Sequence, residues 1–248
     1  MRKISKRILN NFSYLIFRDS RSLRNAERII GNSINDKSIV LPDLAYGLVN
    51  DVAVFTKGTE QIPRSIGINF MLPLNCTNKN AYVSSMRDFV TKLIKDKFDI
   101  YIIVAQPSLP HKEMELVSEI IPNFPSEKII YYKNDIKDFF KRMSSLEVII
   151  GSRLHILIAT HILQKPFFNV EYQEKTRYFM QEINYEKNSF TYNDMNLIYE
   201  QVVKKNIKTP GVSPNELYGI LDGNLARIIR KELNLNKYQK IGIFNYVY

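Results

Sequence analysis

From about Ile66 onward, short apolar runs alternate with amphipathic ones. Ile66 to Phe70 reads as a buried strand, and the next segment places Met86, Phe89, Val90, Leu93 and Ile94 on one helical face. Asp99 to Ala105 predicts a second strand, Lys112 to Ile121 a helix, and Lys128 to Tyr132 a third strand. Asn134 is a candidate cap for a helix marked by Ile136, Phe139, Phe140 and Met143. Leu146 to Ile150 is a fourth strand that stops at Gly151. Leu154 to Leu163 is so apolar that the helix it predicts must be buried, and Pro166 to Val170 is a fifth strand. This alternation predicts an α/β fold, a Rossmann-like parallel sheet flanked by helices.

The tail reads as helical. Asn193 to Lys204 is one candidate, and Ser213-Pro214-Asn215-Glu216 opens another with a capping box and proline at the first helical position. Leu217, Ile220, Leu221 and Ile228 form its apolar stripe. Before Ile66 the pattern is sparser: a strand at Tyr14 to Phe17, a helix at Ser22 to Ile30, and a short strand at Ile39 to Leu41. The polar stretch Thr56 to Arg64 marks the expected boundary, with a junction region over residues 1–60 and the Rossmann-like unit with its C-terminal helices over 61–248. The first part is too small for a core of its own, so it should pack on something larger.

Charge narrows the partners. The chain of 248 residues carries 35 basic and 25 acidic side chains, a net +10 that favours anionic partners. No nucleic-acid motif accompanies that charge, so no nucleic-acid partner is expected. Up to Arg28 there are eight Lys and Arg against Asp19 and Glu27, a balance suited to peripheral contact with a membrane surface. No stretch reads as a signal peptide or a bilayer span. The single cysteine, Cys76, excludes an internal disulfide framework and a cysteine-clustered metal site, which points to a cytoplasmic setting.

The chemistry concentrates between Glu147 and Thr176. An apolar strand ends at Gly151, and Ser152-Arg153-Leu154-His155 leads directly into a helix. Such a turn, at the carboxyl end of a strand in an open α/β sheet, presents free backbone N–H groups to an anion. Arg153 adds a planar fork for carboxylate or phosphate, and His155 a group that exchanges a proton near neutral pH. The same turn is equally compatible with an arginine that only caps a carbonyl or pairs with a carboxylate. His161, about 120° from His155 around the same helix, cannot face the same ligand and reads as a structural residue of the core or the surface. His111, after a strand and Pro110, is a weaker candidate for substrate contact, and Asp43 reads as a structural acceptor. No glycine-rich phosphate loop is present to support an ATP or NAD site.

The segment Gly151 to Thr176 resembles the polysaccharide pyruvyl transferase family, with its Ser-Arg-Leu-His turn, apolar helix and Tyr-x-x-Lys element. Arg18-Asp19-Ser20-Arg21-Ser22 is similar to the family's Arg-Asp-x-x-Ser element, Leu41 to Ala45 to its Pro-Asp-x-Ala segment, and Ile66 to Asn69 to the strand opening its C-terminal domain. The resemblance implies the C-terminal half of a GT-B-like architecture, with transfer of a pyruvyl group from phosphoenolpyruvate to a sugar of a cell-surface polysaccharide or its lipid-linked precursor. It implies Arg153 and His155 as catalytic residues. Arg18, Ser152, Arg153, Leu154, His155 and Lys175 are the implied substrate-binding residues, Leu154 through its backbone. No cofactor and no metal are implied, since phosphoenolpyruvate is the donor substrate.

One departure from the family pattern bears on activity. Arg18 comes almost at the start, where family members carry a full Rossmann-like domain first. A truncated frame, a partner chain supplying the other half, or a remnant without activity each accounts for this. Two other readings stand beside the pyruvyl transferase: a nucleotide-sugar glycosyltransferase of GT-B type, and a non-catalytic subunit.

Overall fold

The structure, a computed structural model, describes residues 7–12, 14–30, 32–105, 110–132, 135–233 and 241–244. In chain order the first elements are β1 (Tyr14–Phe17), α1 (Ser20–Ile30), β2 (Ser38–Val40), α2 (Val49–Phe55), β3 (Ser65–Ile68) and α3 (Lys79–Lys95). Then come β4 (Asp99–Val104), α4 (Pro110–Ile120), β5 (Ile129–Tyr131), α5 (Ile136–Ser144), β6 (Val148–Gly151) and α6 (Leu154–Ile162). The chain continues through β7 (Phe167–Val170), α7 (Glu174–Glu182), β8 (Ser189–Phe190), α8 (Met195–Val203), α9 (Pro214–Leu233) and β9 (Ile241–Phe244). Two compact units result, one over Leu48–Pro214 and one combining Met1–Gly47 with Asn215–Tyr248.

The larger unit is a six-stranded parallel sheet in the order β5-β4-β3-β6-β7-β8. The strands step outward from β3 through β4 to β5, then return to the other side of β3 and step outward through β6, β7 and β8. The sheet is therefore doubly wound, and its switch point lies between β3 and β6. Period-two alternation sorts the strand residues to two faces. Ile66, Ile68, Ile100, Ile102, Val104, Val148, Ile150, Phe168 and Val170 join buried residues of α3, α4 and α8 in one continuous core. On the opposite face α6 packs on β6 and β7, and its approach to β6 is close. A Cβ added to Gly151 would lie 2.9 Å from Leu157 Cδ2 and 3.2 Å from Ile156 Cγ2. Glycine at 151 is thus what lets α6 sit directly on the strand end.

The parallel sheet flanked by helices agrees with the sequence expectation, and the five expected strands fall within two residues of β3 to β7. Several details differ. Ile94, expected on the apolar face of α3, is 51% exposed at the helix end. Asn134 lies outside the described residues, and α5 is capped instead by Asp135, whose side chain accepts from the Asp138 amide at 2.9 Å. Ile220 is exposed, whereas Leu221 and Ile228 of the same expected stripe are buried. Four elements had no counterpart in the expected set: α2, α7, β8 and β9.

The smaller unit is built on a three-stranded parallel sheet, β2-β1-β9, with β1 in the centre. Leu15 and Phe17 of β1 pack with Leu9, Ala26, Ile30 and Ile34. Lys37 Nζ binds the carbonyls of Leu9 and Phe12, each at 3.1 Å. The contacts divide the chain at Leu48 and again at Asn215, where the sequence suggested one boundary near residue 60. The C-terminal residues group with the N-terminal ones because β9 adds to β1, pairing Tyr14 with Ile241.

Candidate functional site

The Ser152–His155 turn lies where β6 ends, at the switch point of the sheet. Arg153 is the N-cap of α6 in extended conformation, and the first intrahelical bonds run from the Ile156 and Leu157 amides to its carbonyl. The Leu154 and His155 amides lie ahead of that ladder, at the positive end of the helix dipole. Ser152 and the Leu154 side chain are buried, so Leu154 can meet a ligand only through its backbone. His155 is exposed.

Arg153 is held more closely than the sequence suggested. Its amide donates to Asn69 Oδ1 at 3.1 Å, and Asn69 Nδ2 donates to the Ile103 carbonyl at 3.0 Å. Its Nε bonds to Glu113 Oε1, while Glu113 Oε2 accepts from the Ala105 amide at 3.1 Å. Glu113 is only 3% exposed, against 24% for the Arg153 side chain. The two readings of Arg153, carboxylate partner or anion clamp, are therefore not exclusive: one edge of the fork is engaged inward and part of the side chain still meets solvent. Asn69 was visible in the sequence only as the end of a strand, and Glu113 only as a helix residue.

Lys175, at the second position of α7, is half-buried and follows β7, the strand beside β6. Arg18 belongs to the smaller unit, at the end of β1. Its guanidinium lies 3.5 Å from Asp19 and 3.7 Å from Asp43. Asp19 caps α1 by accepting from the Ser22 amide at 2.6 Å and from the Ser22 hydroxyl at 3.0 Å. Asp43 accepts from the Ala45 amide at 3.0 Å. The Arg-Asp-x-x-Ser and Pro-Asp-x-Ala elements, separate in sequence, thus meet through Arg18 and Asp43. With two carboxylates beside it, Arg18 is not an isolated positive charge.

His161 sits in the core, 1% exposed, with Nε2 donating to the Val212 carbonyl at 2.9 Å and its ring among Phe167 and Phe179. Burial pushes its pKa down to about 4, only partly opposed by the Val212 bond. An unfolded histidine titrates near 6.5, so stability is unaffected above that pH and falls as pH drops from about 6.5 to about 4, by roughly 3 kcal/mol in all. Urea midpoints measured over this range should fall steeply for the native protein and less so for His161→Gln; parallel slopes would reject the assignment. The side chain of His111 lies outside the described residues.

Fold and site together define an α/β protein with a candidate anion-binding turn at the switch point of a doubly wound sheet. The chain belongs to the polysaccharide pyruvyl transferase family, whose family model matches residues 1–174, a span that includes the β6–α6 turn and stops just before Lys175. No curated protein matches the chain significantly. Among solved structures, the wall teichoic acid polymerase TagF is similar at 10% identity and a TM-score of 0.41, covering 94% of this chain and 61% of that one. A second TagF structure gives 10% and 0.40, covering 94% and 62%. Likeness at this level carries no argument about activity. The chain spans less than two thirds of the length of these structures.

Proposed function

We propose that the chain transfers a pyruvyl group from phosphoenolpyruvate to a sugar of a cell-surface polysaccharide or its precursor. What supports this most is the position of Arg153: a guanidinium fixed at the amino end of α6, at the sheet's switch point, in a member of the pyruvyl transferase family. In this reading the α6 amides and the solvent-facing part of Arg153 take the carboxylate or phosphate. His155, exposed in the first turn of α6, is the group that hands a proton to the donor or orients its phosphate in this reading. Lys175 adds charge from the neighbouring helix. Arg18 has a lesser part, since its guanidinium already faces Asp19 and Asp43.

The reaction then balances without a redox partner. Protonation of the methylene carbon makes the adjacent carbon electrophilic, and one sugar hydroxyl adds there. The carbon–oxygen bond to phosphate breaks, and a second hydroxyl closes the ketal. Of the two hydroxyl protons, one is balanced by the new methyl group and the other by the released phosphate. Holding the reactants in line supplies several kcal/mol of the barrier reduction, about 7 or more in well-oriented cases. In this reading the work is done at the cytoplasmic side of the envelope. No helix among the described residues is long and apolar enough to cross a membrane.

Ligand-induced stabilisation separates the readings. Phosphoenolpyruvate at a hundred times its Kd should stabilise the protein by about 2.7 kcal/mol, and nucleotide sugars should not. A shift with nucleotide sugars alone would favour a glycosyltransferase. No shift with either would favour a non-catalytic subunit.

A further inference from the structure

We propose that Asn69 and Glu113 are positioning residues that preset Arg153 for the donor anion, an inference that rests on the donor-binding reading of that arginine. The two side chains grip Arg153 at different points and share one anchor. Asn69 accepts from the Arg153 amide and donates to the Ile103 carbonyl; Glu113 binds Arg153 Nε and accepts from the Ala105 amide. Ile103 and Ala105 flank Val104, the last residue of β4, so both grips are referred to the same strand end. The Asn69 amide also donates to the Ile150 carbonyl of β6 at 2.9 Å. Asn69 thereby ties the ends of β3, β4 and β6 together around the switch point.

Burial gives the arrangement its force. Asn69 and Glu113 are both nearly inaccessible to water. A buried carboxylate is costly unless paired and hydrogen-bonded, so Glu113 holds its two partners far more firmly than a surface ion pair would. An arginine side chain carries considerable rotamer freedom, which an anion must otherwise freeze on binding. Here much of that freedom is removed beforehand, and the guanidinium plane is set by the Nε contact. Glu113 need not touch the substrate; it acts through Arg153.

The test compares Glu113→Gln, Glu113→Ala, Arg153→Ala and the double variant Glu113→Gln/Arg153→Ala, with thermal midpoints recorded for each. Phosphoenolpyruvate affinity is measured by titration, and the Arg153 Nε–H resonance by nitrogen-15 NMR. Glu113→Gln, which keeps size and one acceptor, should weaken affinity about tenfold, and Glu113→Ala more, up to about a hundredfold. The resonance should be sharp in the native protein and lost in Glu113→Ala. On the Arg153→Ala background, Glu113→Gln should cost no further affinity. If Arg153→Ala destroys binding while Glu113→Gln stays within twofold of native and the resonance is unchanged, the positioning inference is overturned and the donor-binding reading stands. If the native protein does not bind phosphoenolpyruvate, or Arg153→Ala binds it normally, the donor-binding reading falls and this inference with it.

Discussion

Replacing Arg153 by alanine is expected to abolish phosphoenolpyruvate-dependent phosphate release, with a loss of about a thousandfold or more. A charge-assisted, two-pronged contact to an anion in a partly dry site is among the strongest single interactions a protein makes, and it strengthens as charge shifts to the leaving phosphate. The variant also strands Glu113, whose buried charge would lose its partner at a cost of about 3 to 5 kcal/mol of stability. Activity loss alone is therefore ambiguous. The double variant Glu113→Gln/Arg153→Ala removes both charges and should regain much of the lost thermal stability without regaining activity. Turnover near the native level in a folded Arg153→Ala protein would remove the arginine from the mechanism.

The second large effect is structural. Phe168→Ala should destabilise the larger unit by about 3 to 5 kcal/mol. Phe168 is fully buried in β7, within the core shared by the sheet and helices α3, α4 and α8, and its ring lies 6.0 Å from that of Phe190 in β8. Truncation would leave a cavity within that core. For a unit of this size the loss corresponds to a fall in midpoint of about 6 to 20 °C. Calorimetry showing a fall of only a degree or two would mean that the core closes over the gap.

The sheet was legible because its inner strands are largely buried on both faces and read as mostly apolar runs, as Asp99 to Ala105 and Leu146 to Ile150 show. The turn at Ser152 to His155 was legible for the same reason, since a strand ending in glycine beside an apolar helix leaves little choice of geometry. What sets Arg153 was not. Glu113 lies forty positions away and reads locally as one more charge on an amphipathic helix; only the adjacency of β4, β3 and β6 brings it to the arginine. The tie between Arg18 and Asp43 escaped in the same way, because each aspartate also performs a local capping task that explains it without the arginine. β8 is too short to carry a period, and β9 follows from its pairing with β1 rather than from any local pattern.

The position of β9 has a consequence for synthesis. Residues 48–214 are one uninterrupted stretch, so that sheet can assemble on the ribosome as its strands emerge in turn. The central strand of the other sheet, by contrast, waits with one edge uncovered until Ile241 to Phe244 have been translated. During that interval the uncovered edge of β1 is available to pair with other nascent chains, so this strand is expected to need shielding until β9 arrives.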